Sequence, residues 1–401
     1  CLHLNVYTSQ TCRESNASCA VLFLIHGGLG IFESTMKFPD ETLVRNFVSQ
    51  DIVIVSTAYR LGMFGAIALG DENAVTANLA MHDILAAVKF TRSEIAVFGG
   101  DMERITAMGH SAGGRYALMI AFSPGISKPG EKRLINGVVT MSSPVGLETQ
   151  EETVMRSHEA ASELGCEGTA YEIIRCLRGF DTDTIVEAVF NMPGRDFGGK
   201  KGPLSLTMAG ELFPIENERE LRESRDPIRL MTGTTVFEIP GFSGKDRVNR
   251  LLGVSNTDEC YNKYLYDTFG STEQPSPALI AYRQNGTFKP AHFEGSHEFI
   301  MSTHIYAKYQ AEIGGEVYLY EYDYPVHGQH ADDAYFVLGF HEFEKDENEE
   351  WLSRVYPKYF SQFIKGERPA EDWYPVKPHL MNYYSVNRNI TDDVFPHMKF
   401  G

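Results

Sequence analysis

Gly109-His110-Ser111-Ala112-Gly113 decides how this chain is read, because of what stands on either side of it. The run before it, Ile105-Thr106-Ala107-Met108, is short and β-prone, and the run after it, from Ala112 to Phe122, is helix-forming. Strand, Gly-x-Ser-x-Gly, helix is the pattern of a nucleophile elbow. The two glycines permit a turn sharp enough to leave the serine hydroxyl exposed, and the helix N-terminus behind it favours negative charge. A bare five-residue match arises often by chance. Between the right elements, it points to hydrolysis by an activated serine.

Working outward, short apolar runs recur at 21–25, 52–57, 105–108, 138–141, 228–231 and 317–322. Several are near-continuous rather than alternating, as strands buried on both faces of a parallel sheet are. Helical patterns at 77–91, 153–164, 299–313 and 349–364 lie between or after them, and Gly314-Gly315 supplies a C-cap for the third. Alternating strand and helix predicts an α/β fold, a central and mostly parallel sheet flanked by helices. The region from Glu148 to Ser224 is helix-rich and predicts a cap over that sheet, and Asp196–Pro203 reads as a surface loop. There is no internal repeat, so residues 1–401 are read as one domain.

Composition narrows the setting. A chain of 401 residues with 43% hydrophobic content has ample material for a core, and its net charge of −18 argues against nucleic acid as a partner. No apolar run approaches the ~20 residues needed to span a bilayer. Six cysteines (Cys1, Cys12, Cys19, Cys166, Cys176, Cys260) suit a secreted protein with a few staples, and two close pairs, Cys12 with Cys19 and Cys166 with Cys176, could clip local loops. Sequons at Asn16, Asn285 and Asn389 point the same way, to a glycosylated chain of the secretory pathway. The chain opens on Cys1 rather than Met, so a processed or truncated product is expected.

A serine hydroxyl needs a base to take its proton, and the base needs an orienting acid. In α/β-hydrolases these follow in the order Ser, acid, His on loops after later strands. The run 228–231 leads to Glu238, the only carboxylate before Asp246. The run 317–322 leads to His327 and His330, and position alone prefers His330, beside the acidic-aromatic run 331–338, without deciding between them. Backbone N–H groups for an oxyanion hole are expected at Ala112 and in the loop His26-Gly27-Gly28-Leu29-Gly30. His110 reads as a hydrogen-bonding neighbour of the nucleophile. His297 and His304 read as a surface stripe and not a metal site, and nothing beside Cys260 would lower its pKa. Neither a metal nor a cofactor is implied.

The chain resembles the type-B carboxylesterase/cholinesterase family of α/β-hydrolases. The likeness is carried by Cys1-Leu-His-Leu-Asn-Val-Tyr7, Leu24-Ile-His-Gly-Gly28, Tyr59-Arg-Leu-Gly62, Asn78 to Asp83, Phe98-Gly-Gly-Asp101 and Gly109-His-Ser-Ala-Gly-Gly114, and it extends over nearly the whole chain. The resemblance implies Ser111, Glu238 and His330 as triad, since the family's histidine stands six residues before an aromatic-Val-aromatic-Gly pattern and Phe336-Val-Leu-Gly339 follows His330 at that spacing. It also implies an oxyanion hole at Gly28, Leu29 and Ala112, a Cys166–Cys176 disulfide, and a buried Arg60–Asp83 ion pair bracing the oxyanion-side loops. The activity implied is cleavage of small carboxylic esters through an acyl-enzyme.

Four departures accompany it. The family begins before this Cys1 and runs past this tail, has Glu where His110 stands, and has a third glycine where Leu29 stands. The rival reading is a non-catalytic adhesion member of the same family. Such members typically lack a triad residue, and here all three positions keep their chemistry.

Overall fold

The computed structural model describes residues 2–14, 18–128, 130–144, 146–191, 205–223, 226–239, 263, 283–284, 287–288, 297–324, 326–387 and 397–399. Asn16, Asn285, Asn389, Cys1, Cys260 and the loop 196–203 lie outside the described residues. Eleven strands are present among those described: β1 Leu4–Tyr7, β2 Cys19–Ile25, β3 Ile52–Thr57, β4 Gly100–His110, β5 Gly137–Met141, β6 Arg229–Thr235, β7 Arg283–Gln284, β8 Thr287–Phe288, β9 Val317–Tyr322, β10 Tyr383–Val386 and β11 His397–Lys399. Nine form one sheet in the order β1-β3-β2-β4-β5-β6-β9-β10-β11, while β7 and β8 form a separate ribbon. From β3 to β10 every neighbouring pair is parallel, and antiparallel β1 and β11 close the two edges. This is the expected α/β-hydrolase architecture.

Helices cover both faces of the sheet. They include α1 Asp40–Asn46, α2 Leu79–Glu94, α3 Ala112–Phe122, α4 Gln150–Ser162, α5 Ala170–Leu177, α6 Ser302–Glu312, α7 Asp332–Leu338 and α8 Glu347–Ile364. Strand β9 shows how the faces are sorted. Its side chains alternate with the pleat, so Val317 and Leu319 join the core under α2, α3 and α6, whereas Tyr318, Tyr320 and Tyr322 join the aromatic core under α7 and α8. In that second core Trp373 stacks on Tyr384 with centroids 4.5 Å apart. Gly233 on β6 makes room for it, since a Cβ there would lie 2.4 Å from the Tyr320 ring.

Two elements outrun their sequence readings. β4 begins at Gly100 rather than Ile105, because Asp101, Met102, Glu103 and Arg104 form the partly exposed foot of the strand, where one methionine among charged residues gives no apolar run. β6 continues beyond Met231 through Thr232, Gly233, Thr234 and Thr235, which are buried although polar. Thr232 satisfies its hydroxyl against Thr140 on β5, Oγ1 to Oγ1 2.7 Å. Among the described residues of the expected cap region, 150–191 is mostly helical: α4 and α5 both begin with capping boxes, at Thr149 and Thr169. With Ile185 they build a satellite apolar cluster against the segment 63–69. Both disulfides, Cys12–Cys19 and Cys166–Cys176, are formed. No helix among the described residues is long and apolar enough to cross a membrane.

Candidate active site

β4 ends at the elbow, at the carboxyl edge of the sheet. Ser111 has φ 55° and ψ −128°, a left-handed conformation for a non-glycine residue that costs ~1–3 kcal/mol and persists only where its surroundings impose it. They do so here by donating Ser111 N–H to Met141 O (2.9 Å) and by stacking glycines where no side chain fits. A Cβ at Gly109 would meet Gly113 C at 2.2 Å, and one at Gly113 would meet Ile25 O at 2.2 Å. Strand and helix can therefore cross closely and set the serine at the N-terminus of α3, where Ser111 is buried rather than exposed as the elbow motif predicts, because the surrounding loops cover it.

The loop after β2 wraps against this elbow. Gly28, Leu29 and Gly30 have φ of 83°, 57° and 75°, three successive left-handed residues. Among the described residues, no group accepts the N–H of Gly28, Leu29 or Ala112. Three donors left open beside a serine at a helix N-terminus are what a developing oxyanion requires. Arg60 braces the loop from behind. It grips Asp83 through Nε and Nη2, both at 2.7 Å, while Gly62 N–H donates to Gly30 O (2.7 Å). The ion pair differs from the implied buried one in burial: Asp83 is buried, but the Arg60 side chain is 41% exposed, because the guanidinium extends past the loop to water. Tyr59 O–H donates to His26 O (2.7 Å) and stacks on the His26 ring, whose burial pushes its pKa down to about 4.

Gly27 sits at the contact itself, where a Cβ would lie 2.7 Å from His110 O and 3.5 Å from Ser111 Cβ. Gly27→Ala must shift the open N–H groups away from the serine. Since a displacement of ~1 Å can cost ~10²-fold in rate, kcat should fall by about that factor with little change in KM, measured by steady-state ester hydrolysis.

The acid and the histidine come from adjacent loops joined by backbone pairing. Val236 N–H donates to Tyr322 O (2.9 Å) and Phe237 N–H to Gly328 O (2.8 Å), so the loops after β6 and β9 leave the sheet side by side. Glu238 is fully buried; its Oε1 accepts Thr235 N–H at 3.0 Å and its Oε2 faces His330 Nδ1 at 2.5 Å. The His330 ring lies against His110, centroids 4.6 Å apart, and against Phe299 at 4.9 Å. The structure thus joins Glu238 to His330 and sets His330 beside the residue preceding Ser111. His327 instead faces Glu349, Nδ1 to Oε1 2.6 Å, away from Glu238. Asp332 fixes the histidine loop by accepting Gln329 N–H at 2.7 Å.

Other contacts had no local signal. Phe299, Phe340 and Lys37 converge here from distant segments: Phe340 packs edge-on against His110 (5.3 Å), and Lys37 Nζ lies 3.6 Å from the Phe340 centroid while pairing with Glu33. His110 is buried, and desolvation, with smaller contributions from His330, Lys37 and His341, holds its imidazole well below the ordinary range. Its Nε2 has no partner among the described residues, and its ring packs against His330 and Phe340. His304 is not part of a surface stripe: it is half-buried, and desolvation pushes it down to about 4; the side chain of His297 lies outside the description.

Asp333, one residue beyond Asp332, is fully buried and accepts Tyr356 O–H at 3.0 Å. Burial first, and the nearby Glu238 charge second, push its carboxyl up to about 7. An unfolded aspartate titrates near ~3.9, so between about pH 4 and 7 the folded chain holds a proton that the unfolded chain has released. Stability then falls as pH rises through that window. Asp333→Asn, neutral throughout, should gain in urea midpoint relative to the parent at pH 8 and lose that advantage near pH 4.

The model of the carboxylesterase family matches residues 1–399. The chain is 28% identical to the pyrethroid hydrolase Ces2a of Mus musculus over 422 aligned positions, covering 95% of this chain and 70% of that protein. It is 28% identical to an acylcarnitine hydrolase of Mus musculus, covering 96% and 71%, and 26% identical to liver carboxylesterase 1 of the same organism, covering 94% and 71%.

Proposed function

We propose, from the premise that the chain belongs to the carboxylesterase family and is a carboxylic ester hydrolase, that Ser111, Glu238 and His330 perform the reaction by two-step acyl transfer. Ser111 Oγ attacks the ester carbonyl carbon as its proton passes to His330 Nε2. Glu238 keeps the proton on His330 Nδ1 and stabilises the imidazolium that forms. The carbonyl oxygen, now an oxyanion, is held by the N–H groups of Gly28, Leu29 and Ala112. His330 returns its proton to the departing alcohol oxygen. Water then attacks the acyl-serine by the same route in reverse roles.

The observation that carries this reading is the His330–Glu238 pair at 2.5 Å with its imidazole packed on the elbow. The non-catalytic alternative is not favoured, since all three positions retain their chemistry in this arrangement. The substrate we propose is a small uncharged ester, since Phe299 and Phe340 are the aromatic neighbours of the His330–His110 pair. We also read the chain as one domain, because β1 and β11 flank a single sheet. Disulfides and sequons support residence in the secretory pathway.

The test is labelling with a fluorophosphonate together with turnover of a short-chain nitrophenyl ester. One label per chain, on the tryptic peptide containing Ser111 and in step with loss of turnover, is the expected result. A folded chain that neither turns over the ester nor takes the label would overturn the assignment.

A further inference from the structure

His327 and Glu349 make a second imidazole–carboxylate pair, three residues upstream of His330, to which the mechanism above gives no task. Glu349 is fully buried, and its carboxylate is held on both oxygens: Oε2 accepts Asp346 N–H at 3.0 Å and Oε1 faces His327 Nδ1 at 2.6 Å. The carboxylate is itself fixed in place, because Glu349 closes the capping box of α8, its own N–H donating to Asp346 Oδ1 at 2.9 Å. Tyr324, just after β9, ties the same cap down by donating to Asp346 Oδ2 at 2.5 Å. The His327 ring is also stacked on one face, lying on Phe343 at 4.0 Å and 25°, and Phe343 packs edge-on against Phe336 of α7.

We propose that His327 is a positioning residue, the anchor by which the first turn of α8 sets the loop that presents His330 to Glu238 and Ser111. The proposal rests on the triad reading above. The anchor stands three positions before the working imidazole, with two residues between them, a reach of at most ~10 Å of extended chain. Between them, Gly328 O takes Phe237 N–H from the acid loop and Gln329 N–H goes to Asp332. The loop is thus pinned on one side to the loop carrying Glu238 and on the other, through His327, to the N-terminus of α8. Cutting the anchor leaves the Glu349 Oε1 without its partner in a buried site, which favours rearrangement of the loop.

The experiment compares His327→Ala with His327→Asn in the full chain, the amide of Asn standing where the imidazole Nδ1 stands. Serine is titrated to completion with a fluorophosphonate, so that kcat refers to competent sites only. Hydrogen–deuterium exchange at Phe237 N–H reports the loop pairing without requiring turnover. His327→Ala should lower kcat by about 10²-fold with KM largely unchanged, as expected for a misplaced catalytic group, and should speed exchange at Phe237. His327→Asn should recover most of both. Unchanged kcat per titrated site in His327→Ala, whatever its melting temperature, would make the pair merely structural and overturn the proposal, as would equal losses in the two variants. An inactive parent would overturn the triad reading instead, and the Phe237 exchange would still judge the anchor: no acceleration in His327→Ala rejects it.

Discussion

Ser111→Ala lowers kcat on a short-chain nitrophenyl ester by on the order of 10⁶, because the members of a serine triad act as one unit. The same argument makes the losses non-additive. His330→Ala should fall about as far as Ser111→Ala, and the double variant no further, since once the nucleophile is gone an imidazole has no proton to take. The substitution itself should be well tolerated. Alanine can occupy the turn at φ 55° about as poorly as serine does, and the surrounding glycines, not the hydroxyl, hold the elbow together. Circular dichroism and urea midpoints should therefore match the parent while turnover vanishes. Turnover retained within tenfold would place the nucleophile elsewhere.

Glu238→Gln should cost about 10⁴ in kcat with little change in KM or fold, and the reason is a matter of which atoms can face which. Thr235 N–H is a buried donor and needs the oxygen of residue 238. In glutamine that leaves the amide NH₂ pointing at His330 Nδ1, where the carboxylate Oε2 stood at 2.5 Å. A donor there drives the imidazole into the tautomer that carries its proton on Nε2, which cannot accept a proton from Ser111. Glu238→Asp, which keeps the charge but shortens the reach, should retain more activity than Glu238→Gln. Equal kcat in the parent and Glu238→Gln, read by stopped-flow acylation, would remove Glu238 from the triad.

The site was unevenly legible. Ser111 and the oxyanion loop declare themselves locally, because a sharp turn needs glycine at Gly109, Gly113 and Gly28 and those residues stand at fixed offsets. Glu238 could be reached by order along the chain, since few carboxylates follow β6. His327 and His330 could not be separated by position, as both stand in one loop after β9. Their partners lie more than twenty residues to either side, Glu349 for one and Glu238 for the other, so only the spacing to Phe336-Val-Leu-Gly339 that the family resemblance supplies told them apart in the sequence. Lys37, Phe299 and Phe340 were invisible, since no local pattern encodes a contact between distant segments.

The sheet and its helices were written in the sequence, because runs such as Val21–Ile25 and Ile52–Thr57 must be buried on both faces and only a parallel sheet between helices does that. Where polar residues are buried by pairing, as at Thr232 to Thr235 on β6, the pattern falls silent and the strand outruns its reading. Hydrophobic periodicity is a local property that survives in a single chain segment. Protonation is not: that His110 stays neutral, that Asp333 is pushed up to about 7, and that two neighbouring histidines serve different carboxylates all depend on desolvation and charges delivered from distant segments. Those were decided only when the chain closed on itself.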